Sequence, residues 1–229
     1  TAPSDADAID KVTYITPDTM LGSAQDYRAG ARGGSEHLWQ AGLGPEAVVS
    51  VNHPANAVTA GDHIPNFWLG NGARPRIAQH GDALIALYDL TRHDHRMAFT
   101  HAYFPIYAFD DYALRQNEAG QTWAFARKGD GYIGLTASQP ITLLESGPGA
   151  YRELRADGRQ CVWLCQTGRR VIDGDFDTFQ ESLLDLEMHV DDLRFHGSTL
   201  RNETVDFSWE GPLTVDGEMV PITGFKHYE

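Results

Sequence analysis

The chain has 229 residues, 41% of them hydrophobic and 22% charged, which is enough apolar material for a buried core and too much for wholesale disorder. Eighteen Lys and Arg stand against 32 Asp and Glu, a formal net charge of -14, and duplex binding rests on clustered cations, so no nucleic-acid partner is expected. No apolar run approaches the roughly 20 residues that a membrane-spanning helix needs, so no membrane partner is expected either.

Residues 1–10 are small, polar and acidic and read as a loose leader; residues 11–229 read as a single β-rich domain. Period-two alternation or short apolar runs predict strands at 12–16, 47–52, 83–90, 99–104, 122–127, 132–137, 141–144 and 161–165, with Gly, Pro, Asn and Asp in the gaps. Cys161 and Cys165 lie in the last of these. In a strand they stand roughly 13 Å apart at about 3.3 Å per residue, too far for a disulfide. They share a face with Trp163 and read as small buried hydrophobes in preference to a metal-binding pair.

One segment departs from the strand pattern. Phe176, Phe179, Gln180, Leu183, Leu184 and Leu186 recur at helical spacing and predict a helix over 175–188, with Asp173 or Asp175 as its cap. Further strands follow at 193–197, 204–209, 213–215 and 218–222. Asp216-Gly217 between the last two is the signal of a two-residue hairpin turn, which needs positive φ at both positions. The expected fold is mostly β, a large antiparallel sandwich or supersandwich with one helix packed on a sheet.

No phosphate-cradling loop, zinc-protease helix, nucleophile elbow or CxxC framework is present. The informative stretch is 22–54. It holds Ser23-Ala24-Gln25-Asp26-Tyr27-Arg28, a Gly/Arg loop over 30–34, Glu36-His37-Leu38-Trp39-Gln40, and an apolar strand ending in Asn52-His53-Pro54. Polar and imidazole groups thus gather at loop edges, where sites are built on rigid scaffolds. Over residues 23–54 this order resembles the start of the C-terminal β domain of heparinase II/III-type polysaccharide lyases, which pair a helical toroid with a β supersandwich. The family's His-x-His-x-Asp-like segment reads Glu36-His37-Leu38-Trp39-Gln40 here, and no toroid is present.

The resemblance implies that the chain is the C-terminal part of a longer protein, which fits a sequence that starts without an initiator Met. It implies a periplasmic or secreted location, an acidic polysaccharide as substrate, and a helical toroid upstream as partner. It also implies β-elimination on uronic-acid polymers. Arg28 or Asn52 would offset the C5 carboxylate, His37 or Tyr27 would take the C5 proton, and a Tyr or His would protonate the leaving oxygen. Trp39, Asn52, Trp68 and Asn71 are the expected substrate-binding residues. His37, His53 and His101 are the expected ligands of a divalent metal such as zinc or calcium, where zinc would need three or four converging groups.

Other groups are open to two readings. His63, His80, His93 and His95 with Arg74, Arg76, Arg92 and Arg96 form either solvated loops or an anion-facing rim. Lys226-His227-Tyr228 either closes a site or is a polar tail. The rival to catalysis is a carbohydrate-binding or structural β-sandwich, in which Trp39 and Trp68 form a stacking platform.

Overall fold

The computed structural model describes residues 9–59 and 64–225, and three antiparallel sheets dominate it. The middle sheet holds β5 (Arg76–His80), β6 (Ala83–Asp89), β13 (Gln160–Arg169), β10 (Gly131–Ala137), β9 (Thr122–Lys128) and β8 (Asp111–Gln116), in that spatial order. β6 and β10 are buried at every residue. That explains their near-continuous apolar sequence: both of their faces meet a core.

Side-chain alternation divides this sheet between two cores. Leu84, Ala86, Tyr88, Ala124, Ala126, Ile133, Leu135, Cys161, Trp163 and Cys165 face one; Ile85, Leu87, Trp123, Phe125, Tyr132, Val162 and Leu164 face the other. The two cysteines are free, buried and on one face with Trp163, as the alternation predicts.

The first core is closed by a seven-stranded sheet of β1 (Lys11–Ile15), β2 (Met20–Ala24), β3 (Trp39–Gly42), β4 (Val48–Asn52), β7 (Phe99–Tyr103), β12 (Glu153–Asp157) and β11 (Ile141–Leu143), again in spatial order. Leu21, Trp39, Ala41, Val49, Val51, Ala102 and Leu154 point into that core. The second core is closed by a five-stranded meander of β14 (Met188–Asp191), β15 (Arg194–Ser198), β16 (Thr204–Ser208), β17 (Leu213–Val215) and β18 (Glu218–Val220), through Phe195, Val205, Phe207, Leu213 and Val215. Asp216 and Gly217 turn between β17 and β18 with φ of 50° and 81°, the expected two-residue hairpin.

The helix is shorter than its spacing predicts. α1 (Arg170–Asp173) is a single turn; α2 (Phe176–Leu184) is capped by Asp175, whose side chain accepts from Thr178 N. Leu186 lies beyond α2 and Met188 opens β14, because strand pairing with Gly197 takes over there. α2 sets Phe176, Phe179 and Leu183 on the second core. The sheet admits it by leaving out two side chains, since a Cβ at Gly134 would overlap Leu183 and one at Gly168 would overlap Phe179.

Ile9 packs against the first core, and the Asp10 carboxylate accepts from Gly224 N and Phe225 N at 2.8 and 3.0 Å, so order begins before residue 11. Residues 1–8 of the expected leader, His63 and Lys226-His227-Tyr228 lie outside the described residues.

Candidate functional site

Three connections meet at one end of the sheets: 25–38 between β2 and β3, the described residues 53–59 and 64–75 between β4 and β5, and 90–98 between β6 and β7. The first two zip together. Gly30 N donates to Arg74 O, Arg74 N to Ala31 O, Gly33 N to Gly72 O and Asn71 N to Gly34 O, all within 2.8–3.1 Å, around a bridge from Arg32 to Ala73. The third joins both through imidazole contacts, with its His93 Nε2 3.1 Å from Gly30 O of the first and its Met97 O 3.0 Å from His53 Nε2 of the second.

Tyr27 stands at the head of the first connection. Its half-buried ring has the guanidinium carbon of Arg28 at 5.3 Å and that of Arg74 at 5.5 Å from its centroid. Asp26 and Arg28, on either side, have φ of 46° and 48°, a left-handed conformation that costs a non-glycine residue roughly 1–3 kcal/mol and persists only where surroundings over-determine it. Here Arg76 does so. It bonds Asp26 through Nε at 3.0 Å, and its Nη1 is held by the carbonyls of Ser208, Trp209 and Gly211.

Arg74 is 8% exposed. Its Nη2 pairs with Glu36 Oε2 at 3.2 Å, and its Nε has no hydrogen-bond partner. Burial pushes the Glu36 carboxyl up, but a backbone hydrogen bond, Arg74 and the charge of Arg28 outweigh it and hold the group below its ordinary range. Tyr27, Arg28, Glu36 and Arg74 therefore form one electrostatic unit. The approach of Arg74 and the pairing of Glu36 carry no periodic signal in the sequence; the glycines that let 30–34 and 70–74 lie together are the only hint.

The expected metal centre does not assemble. Among the described residues no three His, Cys, Asp or Glu are placed to hold a metal ion. His37 is exposed and lines a surface cavity of about 200 Å³ with Lys11, Thr13 and Gln40. His53 is 1% exposed, and its Nδ1 is unpartnered. Its burial drives the pKa down to about 4 against the pull of the Met97 carbonyl. His101 Nδ1 lies 3.2 Å from Glu153 Oε1, and its Nε2 lies 2.9 Å from Phe67 O. These residues do not fit a zinc or calcium ion.

The expected substrate-binding residues divide as well. Trp39 is 2% exposed and belongs to the first core, so its ring offers no face to a sugar. Asn52 spends its amide on Phe67 O and Gly70 O, and Asn71 bonds His53 N and Glu36 O, so both act as clamps on the 53–75 connection. Trp68 alone is half-exposed, stacked on His101 with centroids 4.7 Å apart and planes at 18°.

The arginine and histidine rim is also divided. His80 pairs with Glu203 at 3.2 Å, Arg76 is fully engaged as above, and Arg92 pairs with Asp89 at 3.0 Å while covering Trp209. His93 and His95 remain at the loop end, beside His53. Burial lowers the pKa of His95, and His93, Arg32 and Arg159 lower it further.

No protein-family model, curated protein or solved structure matches this chain.

Proposed function

We propose that the loop end binds a uronic-acid polymer and contributes to its cleavage by β-elimination, as the β-sheet part of a polysaccharide lyase-like protein. The observation that carries this reading is Tyr27, a phenol between two guanidinium groups on a backbone strained at both of its neighbours. Strained left-handed residues cluster at active sites, where the surroundings sustain a geometry the chain would not choose.

Arg28 and Arg74 supply planar forks suited to the C5 carboxylate, and neutralising that charge makes the C5 proton acidic enough to remove. Tyr27, whose ring lies between those two guanidinium groups, takes the proton. The C5–H electrons form the C4=C5 double bond, the C4–O bond breaks, and the leaving oxygen is protonated by a Tyr or His acid. A helical toroid earlier in the same polypeptide would form the other wall of the cleft.

The test is to incubate the protein with alginate, heparin-like and glucuronan polymers and follow the ultraviolet absorbance of the unsaturated product. Tyr27→Phe should lower turnover by at least about a hundredfold, the range general-base removal produces, while sparing polymer binding. Neither product nor binding across the panel refutes the reading. Binding without product, sensitive to Trp68→Ala, supports the non-catalytic carbohydrate-binding reading, which rests on the one half-exposed indole of the pair.

A further inference from the structure

The outer face of the seven-stranded sheet carries a buried histidine–glutamate contact away from Tyr27. His101 on β7 is 0% exposed, and Glu153 on the neighbouring β12 is 1% exposed. Both ring nitrogens of His101 face acceptors. Nδ1 lies 3.2 Å from Glu153 Oε1, and Nε2 lies 2.9 Å from the carbonyl oxygen of Phe67. A carbonyl has no proton to give. Glu153 Oε1 already receives Nε and Nη2 of Arg155 at 3.1 and 2.8 Å, an arrangement that holds it ionised. A neutral imidazole owns one N–H, so it would leave a bare lone pair against an oxygen lone pair where no water reaches. An imidazolium satisfies both contacts.

The surrounding rings suit a cation. Trp68 stacks on His101, and its π face attracts positive charge; Phe67 and Phe99 stand nearly perpendicular, with centroids at 4.6 and 5.8 Å. The charged and titratable groups near the ring are Glu153 and Arg155 of β12 and His53 at the end of β4. Burial keeps His53 neutral, so it does not compete for the proton.

We infer that His101 is a fixed imidazolium, protonated on both ring nitrogens, that latches the 64–74 loop to the seven-stranded sheet and so positions Arg74 beside Tyr27. The chain of contacts is continuous. His101 and Asn52 both donate to Phe67 O, Asn52 also holds Gly70 O, Asn71 bonds Gly34 O and Glu36 O, and Glu36 pairs with Arg74. His101 is a positioning residue in this scheme and touches no substrate. The positioning half rests on the lyase reading; the charge state does not.

The experiment is a long-range ¹⁵N–¹H correlation spectrum of histidine-labelled full chain at about pH 7.5, where a free imidazole is mostly neutral. His101 should show two protonated nitrogens. Glu153→Gln should lose one of them and raise the emission of Trp68, which a stacked imidazolium quenches, with Trp68→Phe as the assignment control. A bare ring nitrogen in the wild type overturns the inference, and that spectrum decides even if Glu153→Gln does not fold.

For the positioning half, His101→Gln should lower kcat/KM about tenfold or more, since small misplacements at a reacting centre are costly. Tyr27→Phe should leave the His101 spectrum unchanged. Wild-type turnover in His101→Gln overturns the positioning role. A doubly protonated His101 in a protein that forms no unsaturated product supports the latch and removes the lyase reading.

Discussion

His53 makes the stability of this fold depend on pH just below neutrality. Its ring is 1% exposed, Nε2 donates to Met97 O, and Nδ1 has no partner, so a proton taken up there gains no hydrogen bond to offset burial of the charge. Burial therefore drives its pKa to about 4, and the charges of His95 and His101 push the same way. In the unfolded chain the imidazole protonates near 6.5. Between those values the unfolded state binds a proton that the folded state refuses. The stabilisation is complete above about pH 6.5 and is lost as the pH falls toward 4. At about 1.36 kcal/mol per pKa unit the full effect is ~3 kcal/mol, of which about 2.5 kcal/mol is gone by pH ~4.5.

Against a total stability of about 5–15 kcal/mol this is a large fraction. Urea unfolding of wild type and His53→Gln from about pH 7.5 to about 4.5 measures it, because glutamine can still donate to Met97 O but takes up no proton. Glu36, Glu153 and Asp206, whose carboxyls lie below their ordinary range, add acid sensitivity at lower pH in both proteins and cancel in the difference. The wild type should lose about 2.5 kcal/mol more than the variant over this range. Parallel stability curves would refute the account of a buried neutral ring.

Three other outcomes follow from the packing. Gly134→Ala should cost about 1–3 kcal/mol by overpacking against Leu183, read as a fall in Tm of several degrees; an unchanged Tm would mean that α2 is not seated as described. Arg201 bridges Asp82 at 2.7 Å and Asp173 at 2.8 Å, so Arg201→Met should cost about 3 kcal/mol near neutral pH, since it leaves two buried carboxylates unpaired. That cost should shrink on acidification, because burial already holds the Asp82 carboxyl above its ordinary range, and urea titrations at two pH values would show a constant cost if the reasoning fails. Cys161, its thiol pushed up to about 11 by burial, and Cys165, pushed higher, should resist iodoacetamide in the native protein and both react in urea; rapid native labelling would contradict their place in the core.

The strands legible in the sequence are those whose side chains have no choice of face. β6, β9, β10 and β13 read as apolar runs because the middle sheet is covered on both sides. β8 and β12 escaped because their patterns are set by particular neighbours. β8 is a half-exposed edge strand. β12 contributes only Leu154 and Ala156 to the core, and its Glu153 and Arg155 are paired with each other on the outer face, which local sequence reads as a polar loop. β2, β3, β5 and β14 are likewise illegible, as short segments rich in small or polar residues.

The site was legible only in its local parts. Tyr27 and Arg28 are chain neighbours and were found together, whereas Arg74 reaches Tyr27 through a loop pairing that no period announces. Trp39 was decidable in principle: with Ala41 it alternates against Gln40 and Gly42, and that parity places both in the core. The histidines were not. His37 is exposed, His53 is buried beside a single carbonyl and stays neutral, and His101 is buried between a carboxylate and a carbonyl, an acceptor at each nitrogen. The chemistry of an imidazole follows from how many acceptors meet its two nitrogens. For His101 those acceptors come from residues 34 and 52 positions away, so residue type and spacing cannot separate a base, a core filler and a latch.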